Sequence, residues 1–468
     1  MELTKFYDGA RYDIVYGEYK GPEKRAIELL YETLCEFVPY IPEMYEGKPS
    51  SPNIPIFIGT KSSNPSVAEK LSSINLSEDE IYYKVADEYI IISGGSALSV
   101  FYAACSFCDD YLPKARRRTL GHPFFVKPFI DKMPEAEHRS SPAVKERGLW
   151  TWGHVIYDYK TYIKNLARLK MNKITIWNDC PPLNAREIVD YAHSFGVKVF
   201  WGYSWGWDEH LDIRSEELMR QWGKAAVDSY KNGYADTGCD GIYYQMFTEQ
   251  KTDTQDGVNI AEYAVKWTNY IASEIYKLYP DLKIEFGLHA TSVKNHLDKI
   301  AKTDDRIYIV WEDCGAFPYH YNAFDTADYD ETLAFSEKIA ALREGKRFGA
   351  VLKGASWLDW SCFAHQKTPF ILGMNGEREI AEKATLRRDI YRYQESAWLQ
   401  NGEKAYSVIK LLAEKTKGDC TLSDLVEDGL FDRHIYLPNA LFAEMCWDVA
   451  SPYDEILRRV SARPYIDR

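Results

Sequence analysis

The chain is short of the features that mark several large classes of protein. Its 57 lysine and arginine residues are outnumbered by 70 aspartate and glutamate residues, which gives a net charge of −13. Nucleic acids and anionic membranes are bound through basic surfaces, so this balance argues against either partner. No apolar run reaches the roughly 18 residues that a membrane-spanning helix needs. We therefore expect a protein with no nucleic-acid partner and no membrane partner.

Motifs for common cofactors and metals are also missing. The sequence has no glycine-rich dinucleotide or phosphate loop, and no H-x-x-H or H-E-x-x-H spacing. Its nine cysteines are scattered, and the C-x-x-C pair of Cys105 and Cys108 has no second pair beside it. We expect no cofactor, no metal and reduced thiols. The first residues, M-E-L-T-K-F-Y-D, lack the pattern of a secretory signal, so a cytoplasmic location is the expectation.

Aromatic residues, by contrast, are abundant. They make up 15% of the chain, with 35 tyrosines and 13 tryptophans. Such rings serve core packing in most proteins, but flat rings also stack on the C–H faces of sugars. Composition alone leaves packing and sugar binding both open.

At 468 residues the chain should hold two or three domains. Residues 1–140 indicate a small α+β domain, with helices at 22–40 and 97–112 and strands at 54–59, 77–84 and 89–93. The segment 113–142 is charged and contains prolines, which favours a linker.

From residue 144 onward, strand-length apolar runs alternate with helical stretches. The runs lie at 146–152, 173–177, 197–203, 242–247, 282–288, 306–311 and 347–355, and 369–373 could be a short eighth. This alternation is typical of a parallel sheet with crossover helices. It predicts the α/β class, with a (β/α)₈ TIM barrel over residues 141–375. The remaining residues, 376–468, are mostly helical and could pack on the barrel or support a homodimer.

In such a barrel, the residues that follow the strands meet at one mouth, where active sites lie. Glu249 follows the fourth strand and is the first predicted catalytic residue. Glu312 and Asp313 follow the sixth strand, and because adjacent strand residues point to opposite sides, only one should face the pocket. Other residues beyond the strands are predicted substrate binders: Trp152, His154, Asn178, Asp179, Trp205, Trp207, His289, Trp311, Trp357 and Asp359.

Paired carboxylates flanked by flat rings are what glycoside hydrolysis requires. One acid protonates the leaving oxygen, and a second carboxylate acts as nucleophile or activates water. We expect a glycoside hydrolase with a carbohydrate substrate, Glu249 as general acid, and Glu312 or Asp313 as its partner. Two alternatives stay open: a non-catalytic carbohydrate-binding barrel, and a barrel lyase or isomerase that would use a metal or a Lys or His base.

One stretch carries a family resemblance. The sequence D-E-Y-I-I-I-S-G-G-S-A-L-S-V-F-Y-A-A-C-S-F precedes K-E-R-G-L, which opens the barrel. This order resembles family-20 β-N-acetylhexosaminidases and family-67 α-glucuronidases. In both, a zincin-like domain ends in a strand, a small-residue turn and a helix before the catalytic barrel. The resemblance implies an exo-acting enzyme for an N-acetylhexosaminide or a uronide.

The two families differ in how well their site residues carry over. Family-20 enzymes end the fourth strand with an Asp-Glu pair, whereas this chain has Thr248 and Glu249. The acid therefore carries over, but the aspartate that orients the substrate's acetamido group does not. The family-67 layout, with carboxylates after the fourth, sixth and seventh strands, is similar to Glu249, then Glu312 or Asp313, then Asp359.

Overall fold

The structure is a computed structural model that describes residues 7–115, 117–119, 127–206, 211–314, 329–356, 365–427 and 429–467. Its contacts divide the chain into two units. One contains the residues up to Pro142 with the short pieces His193–Gly196 and Ser461–Pro464. The other contains Ala143–Ala192, Val197–Val460 and the last residues.

The first unit is built on a six-stranded sheet. Its strands, in spatial order, are Met44–Glu46, Tyr12–Tyr16, Ile54–Ile58, Ile90–Gly94, Ile81–Val85 and Ala136–Ser140. The first three pairings are parallel and the last two antiparallel. Three helices accompany the sheet: Gly21–Phe37, Pro65–Lys70 and Ala97–Ser106. The unit thus has the expected α+β character.

Part of the segment predicted as a linker is a strand of this sheet. Ala136–Ser140 pairs with Ile81–Val85 at the sheet edge. Its sequence, A-E-H-R-S, is polar and its residues are exposed or half-buried. An edge strand that buries little carries no apolar pattern, so the usual sequence signal of a strand is absent here.

The second unit is a closed barrel of eight parallel strands. In chain order they are Glu146–Trp152, Lys173–Trp177, Lys198–Ser204, Gly241–Gln245, Lys283–Leu288, Tyr308–Cys314, Phe348–Ser356 and Cys420–Val426. The last strand pairs with the first and closes the ring. The described helices of this unit are Tyr159–Arg168, Ala185–Ser194, Glu216–Ser229, Ile260–Leu278, Leu297–Ile300, Tyr329–Ala340, Glu377–Thr416, Leu437–Trp447 and Tyr453–Ser461. The predicted TIM barrel is confirmed.

The eighth strand is not the one suggested from the sequence. The barrel closes with Cys420–Val426, while the apolar run 369–373 lies outside the barrel sheet. Leu372 in that run is held instead by the side chain of Asn184, whose amide donates to the Leu372 carbonyl at 2.9 Å and whose oxygen accepts from the Leu372 N–H at 2.9 Å. The true strand, C-T-L-S-D-L-V, is less apolar and follows a long helix, so its pattern is weaker than that of 369–373.

That long helix is continuous. Glu377–Thr416 runs for 40 residues, in the part of the chain expected to be mostly helical. Gly402 lies within it, and a Cβ atom there would overlap the Tyr453 hydroxyl. The glycine therefore permits close packing of Tyr453 and does not end the helix. Within the described chain, no helix is long and apolar enough to cross a membrane.

Alternate residues of the barrel strands point inward, and at the N-terminal end these residues form a charged layer. The Lys173 ammonium donates to both carboxylate oxygens of Glu285, at 2.5 and 2.6 Å, and to Thr421 at 3.0 Å. Both members of this ion pair are buried. Burial lowers the pKa of Lys173, and the carboxylates of Glu285 and Glu146 act in the opposite direction.

Glu146 anchors the outer part of this layer. Its carboxylate accepts from Lys198 and from Lys283, each at 2.7 Å, and its side chain is 12% exposed. Burial alone would raise its pKa, but Lys173, Lys283 and Lys198 outweigh burial and hold the pKa at about 2. A carboxylate with a depressed pKa stabilises the fold while it is ionised.

We predict that replacing Glu146 makes the free energy of unfolding depend less on pH in the acidic range. The pKa of Glu146 falls from 4.5 to about 2 on folding, which corresponds to roughly 3 kcal/mol at neutral pH. This stabilisation is complete above the unfolded pKa and is lost as pH falls toward the folded pKa. Glu146→Gln should be less stable than wild type by about that amount at pH 7, and by about half or less at pH 3.

Urea unfolding at both pH values measures this difference. Glu382→Gln removes an exposed partner of Arg378 and should change stability by at most about 0.5 kcal/mol at either pH. A Glu146→Gln deficit that stays constant between pH 7 and pH 3 would contradict the assignment.

Candidate active site

The C-terminal mouth of the barrel holds a cavity of about 490 Å³. Every one of the eight strands, or the residues just after it, contributes to its wall. The lining residues described are Trp150, Trp152, Trp177, Asp179, Ser204, Trp222, Gln245, Glu249, His289, Glu312, Lys353, His365, Leu425 and Glu427. The cavity thus lies where the fold places catalytic groups.

Strand alternation decides which residues reach the cavity. In the sixth strand, Tyr308 and Val310 pack with the barrel interior, and Glu312 continues the same face into the cavity. Trp311, one residue earlier, packs outside against Phe335 of the helix Tyr329–Ala340, with ring centroids 5.1 Å apart. Of the two carboxylates that follow this strand, Glu312 is therefore in the cavity. The side chain of Asp313 is not among those described.

Glu312 is buried and held by two donors of the fourth strand. Its Oε1 accepts a hydrogen bond from the Gln245 amide at 2.6 Å and another from the Tyr243 hydroxyl. Only 3% of Glu312 is exposed. Two hydrogen bonds to one oxygen stabilise the ionised form of a carboxylate and fix its orientation.

The ring of Tyr243 has room because Gly287 lies opposite. A Cβ atom at Gly287 would overlap the Tyr243 hydroxyl oxygen and two of its ring carbons. The fifth strand therefore needs a glycine at this inward position for the tyrosine to reach Glu312.

Glu249 occupies a more open position. It lies just beyond the fourth strand, and its side chain is 48% exposed. Its Oε2 is 3.9 Å from the Nε2 of His289, an almost fully buried residue that follows the fifth strand. The residue before it, Thr248, is buried. Of the two predicted glutamates, Glu312 is therefore buried and Glu249 accessible, and a third glutamate, Glu427, also lines the cavity.

Three tryptophans from the first and second strands form an aromatic wall. Trp150 and Trp152 meet edge to face with centroids 5.0 Å apart, and Trp177 lies 6.2 Å from the first and 5.9 Å from the second. Trp150 also contacts Tyr243 edge to face at 6.0 Å. In the described part of the chain, the buried Nε1 of Trp150 has no hydrogen-bond partner. Flat rings of this kind are suited to stacking on a sugar ring.

Asp179 is fixed at the edge of the cavity. Its carboxylate lies 3.1 Å from the Nδ1 of His365 and accepts the Gln366 backbone N–H at 2.8 Å. Half-buried His154 lies nearby, with its ring centroid 6.4 Å from that of Trp152. Burial lowers the pKa of His154, while the Asp179 charge acts to raise it. His154 itself is outside the cavity lining.

Five of the predicted residues line the cavity: Trp152, Asp179, Glu249, His289 and Glu312. Others lie elsewhere. Trp205 is fully buried and stacks on Tyr244 with ring centroids 3.8 Å apart, so it belongs to the packing between strand and helix. Asn178 is buried and donates to the Ile176 carbonyl. Trp205, Trp311 and Asn178 face away from the cavity because they occupy the outward positions of their strands.

Three further predicted substrate binders, Trp207, Trp357 and Asp359, lie outside the described residues.

Several lining residues are absent from the sequence-based prediction, including Lys353, Glu427 and Gln245. Gln245 and Lys353 lie inside strands, two residues apart from other inward positions, and strict alternation could have identified them. Glu427 follows the eighth strand, which the sequence pattern placed at 369–373. Trp222, on the helix Glu216–Ser229, and His365 had no strand-end signal.

Among the described residues, no group of three or more histidine, cysteine or acidic side chains is arranged to hold a metal ion. The arrangement provides proton donors and acceptors, one lysine and an aromatic wall. These groups can carry out acid–base chemistry on a bound sugar.

Comparison with known proteins gives a structural likeness only. No family model and no curated protein matches the sequence. The chain is similar to the solved structure of CpGH84B, with a TM-score of 0.57 and 12% identity, covering 96% of this chain and 70% of that one. It is also similar to a GH138 enzyme targeting pectin rhamnogalacturonan II, with a TM-score of 0.55 and 10% identity over 95% and 65% of the two chains.

A third structure, CpGH84D, has a TM-score of 0.48 and 16% identity, over 74% of this chain and 57% of that one. The chain thus spans between 57% and 70% of the length of these proteins. The first two structures are glycoside hydrolases of families 84 and 138, and at these identities the likeness to them establishes a shared fold. The finer resemblance to families 20 and 67 stays a prediction.

We predict that Gly287→Ala disrupts the support of Glu312. The new methyl group would overlap the Tyr243 ring, and overpacking of this kind typically costs about 1–3 kcal/mol. Urea unfolding should show that loss, and the near-UV circular dichroism of the cavity aromatics should change. Gly376→Ala is the matched control, because a Cβ atom at Gly376 has no neighbour within 4 Å. Equal stability of the two variants would refute the role of Gly287.

Proposed function

We propose that this protein is a glycoside hydrolase that cleaves an oligosaccharide or small glycoside. One observation carries the proposal: two glutamates from different strand ends share a cavity with a wall of three tryptophans. The pair supplies the acid and the second carboxylate of glycosidic cleavage, and the rings supply a platform for the sugar. The glycoside-hydrolase barrels with which the chain shares its fold support the same class.

The surroundings of the two glutamates favour different roles. Glu312 is buried and receives hydrogen bonds from Tyr243 and Gln245, which favours the ionised form needed by a nucleophile or base. Glu249 lies beside His289, and about half of its side chain reaches solvent. An exposed acid can deliver its proton to a leaving group that departs toward solvent. We assign Glu249 as general acid and Glu312 as nucleophile or base.

Substrate-assisted attack of the family-20 kind does not fit this pair. Thr248 precedes Glu249 and is fully buried, so the position offers no carboxylate to polarise an acetamido group. The second carboxylate must then come from another strand. We assign this role to Glu312, which accepts hydrogen bonds from Tyr243 and Gln245; the other buried carboxyl group of the cavity, Glu427, follows the eighth strand.

The substrate range proposed from the sequence is a terminal N-acetylhexosaminide or uronide. A cavity of about 490 Å³ is within the usual size of small-ligand pockets. The packed barrel interior lies beneath it, with Trp150, Tyr243, Val310, Val351 and Leu425 in contact. A pocket closed on that side is suited to the end of a glycan, which supports exo action.

We predict that replacing Glu249 and replacing Glu312 affect activity in different ways. Glu249→Gln should lower kcat/KM about 10²–10⁴-fold on alkyl glycosides, and much less on dinitrophenyl glycosides, whose leaving group needs no proton. Glu312→Gln should be severely impaired on both. Release of aglycone from a panel of neutral, N-acetylated and uronic glycosides measures these effects, and NMR of the first-formed anomer shows retention or inversion.

Glu262→Gln serves as the control, because Glu262 is exposed and contacts Lys299 on the surface; it should retain wild-type activity. If Glu249→Gln lowers kcat/KM equally for alkyl and dinitrophenyl glycosides, Glu249 is not the acid. Saturable sugar binding with no turnover on any glycoside would support the alternative, a non-catalytic carbohydrate-binding barrel.

A further inference from the structure

We infer that the cavity selects an uncharged sugar and rejects one that carries a carboxylate. The inference rests on the proposed function and narrows its substrate from two classes to one, the N-acetylhexosaminide or another neutral pyranoside. It is derived from the charges of the cavity wall.

Four carboxylates line the cavity, and they come from four different strand ends. Asp179 follows the second strand, Glu249 the fourth and Glu427 the eighth, and Glu312 lies near the end of the sixth. Glu312 and Glu427 are only 3% and 2% exposed. Charges with so little contact with solvent are weakly screened, so they act strongly on any ion that enters. Glu249 carries a proton when it acts as the general acid, and a sugar carboxylate would then still face Asp179, Glu312 and Glu427.

The side chain of Lys353 does not offset these charges for a substrate. It projects from the seventh strand, which lies between the strands that carry Glu312 and Glu427. In the register of the seventh and eighth strands, Leu352 pairs with Asp424 and the register shifts between Leu352 and Ser356, so Lys353 lies just beyond the last regular pair, toward the strand end that carries Glu427. Lys353 is the one lysine in the described lining, which contains four acidic side chains, so this lining keeps an excess of acidic groups.

The cavity also lacks the usual receptor for a carboxylate. Within the described lining, no residue is an arginine, the side chain whose planar fork binds carboxylates through two parallel hydrogen bonds. His289 and His365 line the same cavity, but His289 is next to Glu249 and His365 contacts Asp179. Both histidines of the described lining are thus beside a protein acid.

The aromatic wall, in turn, suits an uncharged sugar. The faces of Trp152 and Trp177 can cover the C–H groups of a pyranose without meeting any charge. The buried Nε1 of Trp150 has no partner in the described chain. An indole N–H is an uncharged donor, so the tryptophans bring no positive charge that would neutralise a carboxylate.

The test compares matched ligands that differ only in charge. Quenching of tryptophan fluorescence is titrated with the methyl glycosides of glucuronic acid and of galacturonic acid, and with the primary amide of each. The amide has the shape of the acid but no charge. We expect the better-bound amide to bind at least about tenfold more tightly than its acid at pH 7. Nitrophenyl glycosides of the same four sugars give the corresponding ratio of kcat/KM.

Protein variants show whether the cavity charges cause the difference. Glu427→Gln removes one buried charge with little change in shape, and it should narrow the gap between acid and amide severalfold. Lys353→Met should widen the gap. Glu262→Gln, on the surface of the helix Ile260–Leu278, should leave it unchanged.

An acid that binds as tightly as its amide or more tightly, with Lys353→Met abolishing that binding, would overturn the inference and make Lys353 a receptor for uronates. Absence of saturable quenching by any of the four sugars would also overturn it. If the inference holds but the proposed function does not, the amide binds more tightly than the acid and no glycoside is hydrolysed.

Discussion

The alternation of inward and outward residues along eight parallel strands is the constraint on which this structure depends. Because a strand turns successive side chains to opposite sides, each strand supplies the barrel interior with alternate residues along its length. At the N-terminal end the inward layer is charged, with Lys173 and Glu285 in a buried pair. At the other end it is the cavity wall. The charged layer, the packed core and the cavity wall are therefore successive layers formed by the same set of inward-facing residues.

The layer between the charged end of the barrel and the cavity connects the stability of the fold to the chemistry of the site. Tyr243 reaches Glu312 because Gly287 leaves space for its ring, and it also contacts Trp150 on the aromatic wall. One tyrosine thus supports both the buried carboxylate and a ring expected to hold the sugar. A rigid layer of this kind fixes the distance and direction of the reacting groups before a substrate arrives, which is how preorganised sites lower the cost of reaction.

Much of this architecture could be predicted from the sequence, because seven barrel strands are apolar runs and each ends abruptly in polar residues. That change alone identifies Glu249, His289 and Asp179. The same signal wrongly predicts that Trp205 and Trp311 line the cavity, because a residue at a strand end can face the packed helices as well as the cavity. Glu427 was not predicted because its strand, Cys420–Val426, was not predicted. The two strands that pair with Cys420–Val426 lie about 70 and 275 residues earlier in the chain.

By itself, then, the sequence determined the periodic pattern, and with it the barrel class and the set of strand-end carboxylates and tryptophans. Those properties are local, since apolar spacing and turn residues act over a few positions. Only the tertiary structure decided that Glu312 lies inside beside Tyr243 and Gln245, and that Glu427 joins the same cavity. Such relations depend on strand register and ring closure, which bring together residues far apart in the chain and leave no trace in local sequence.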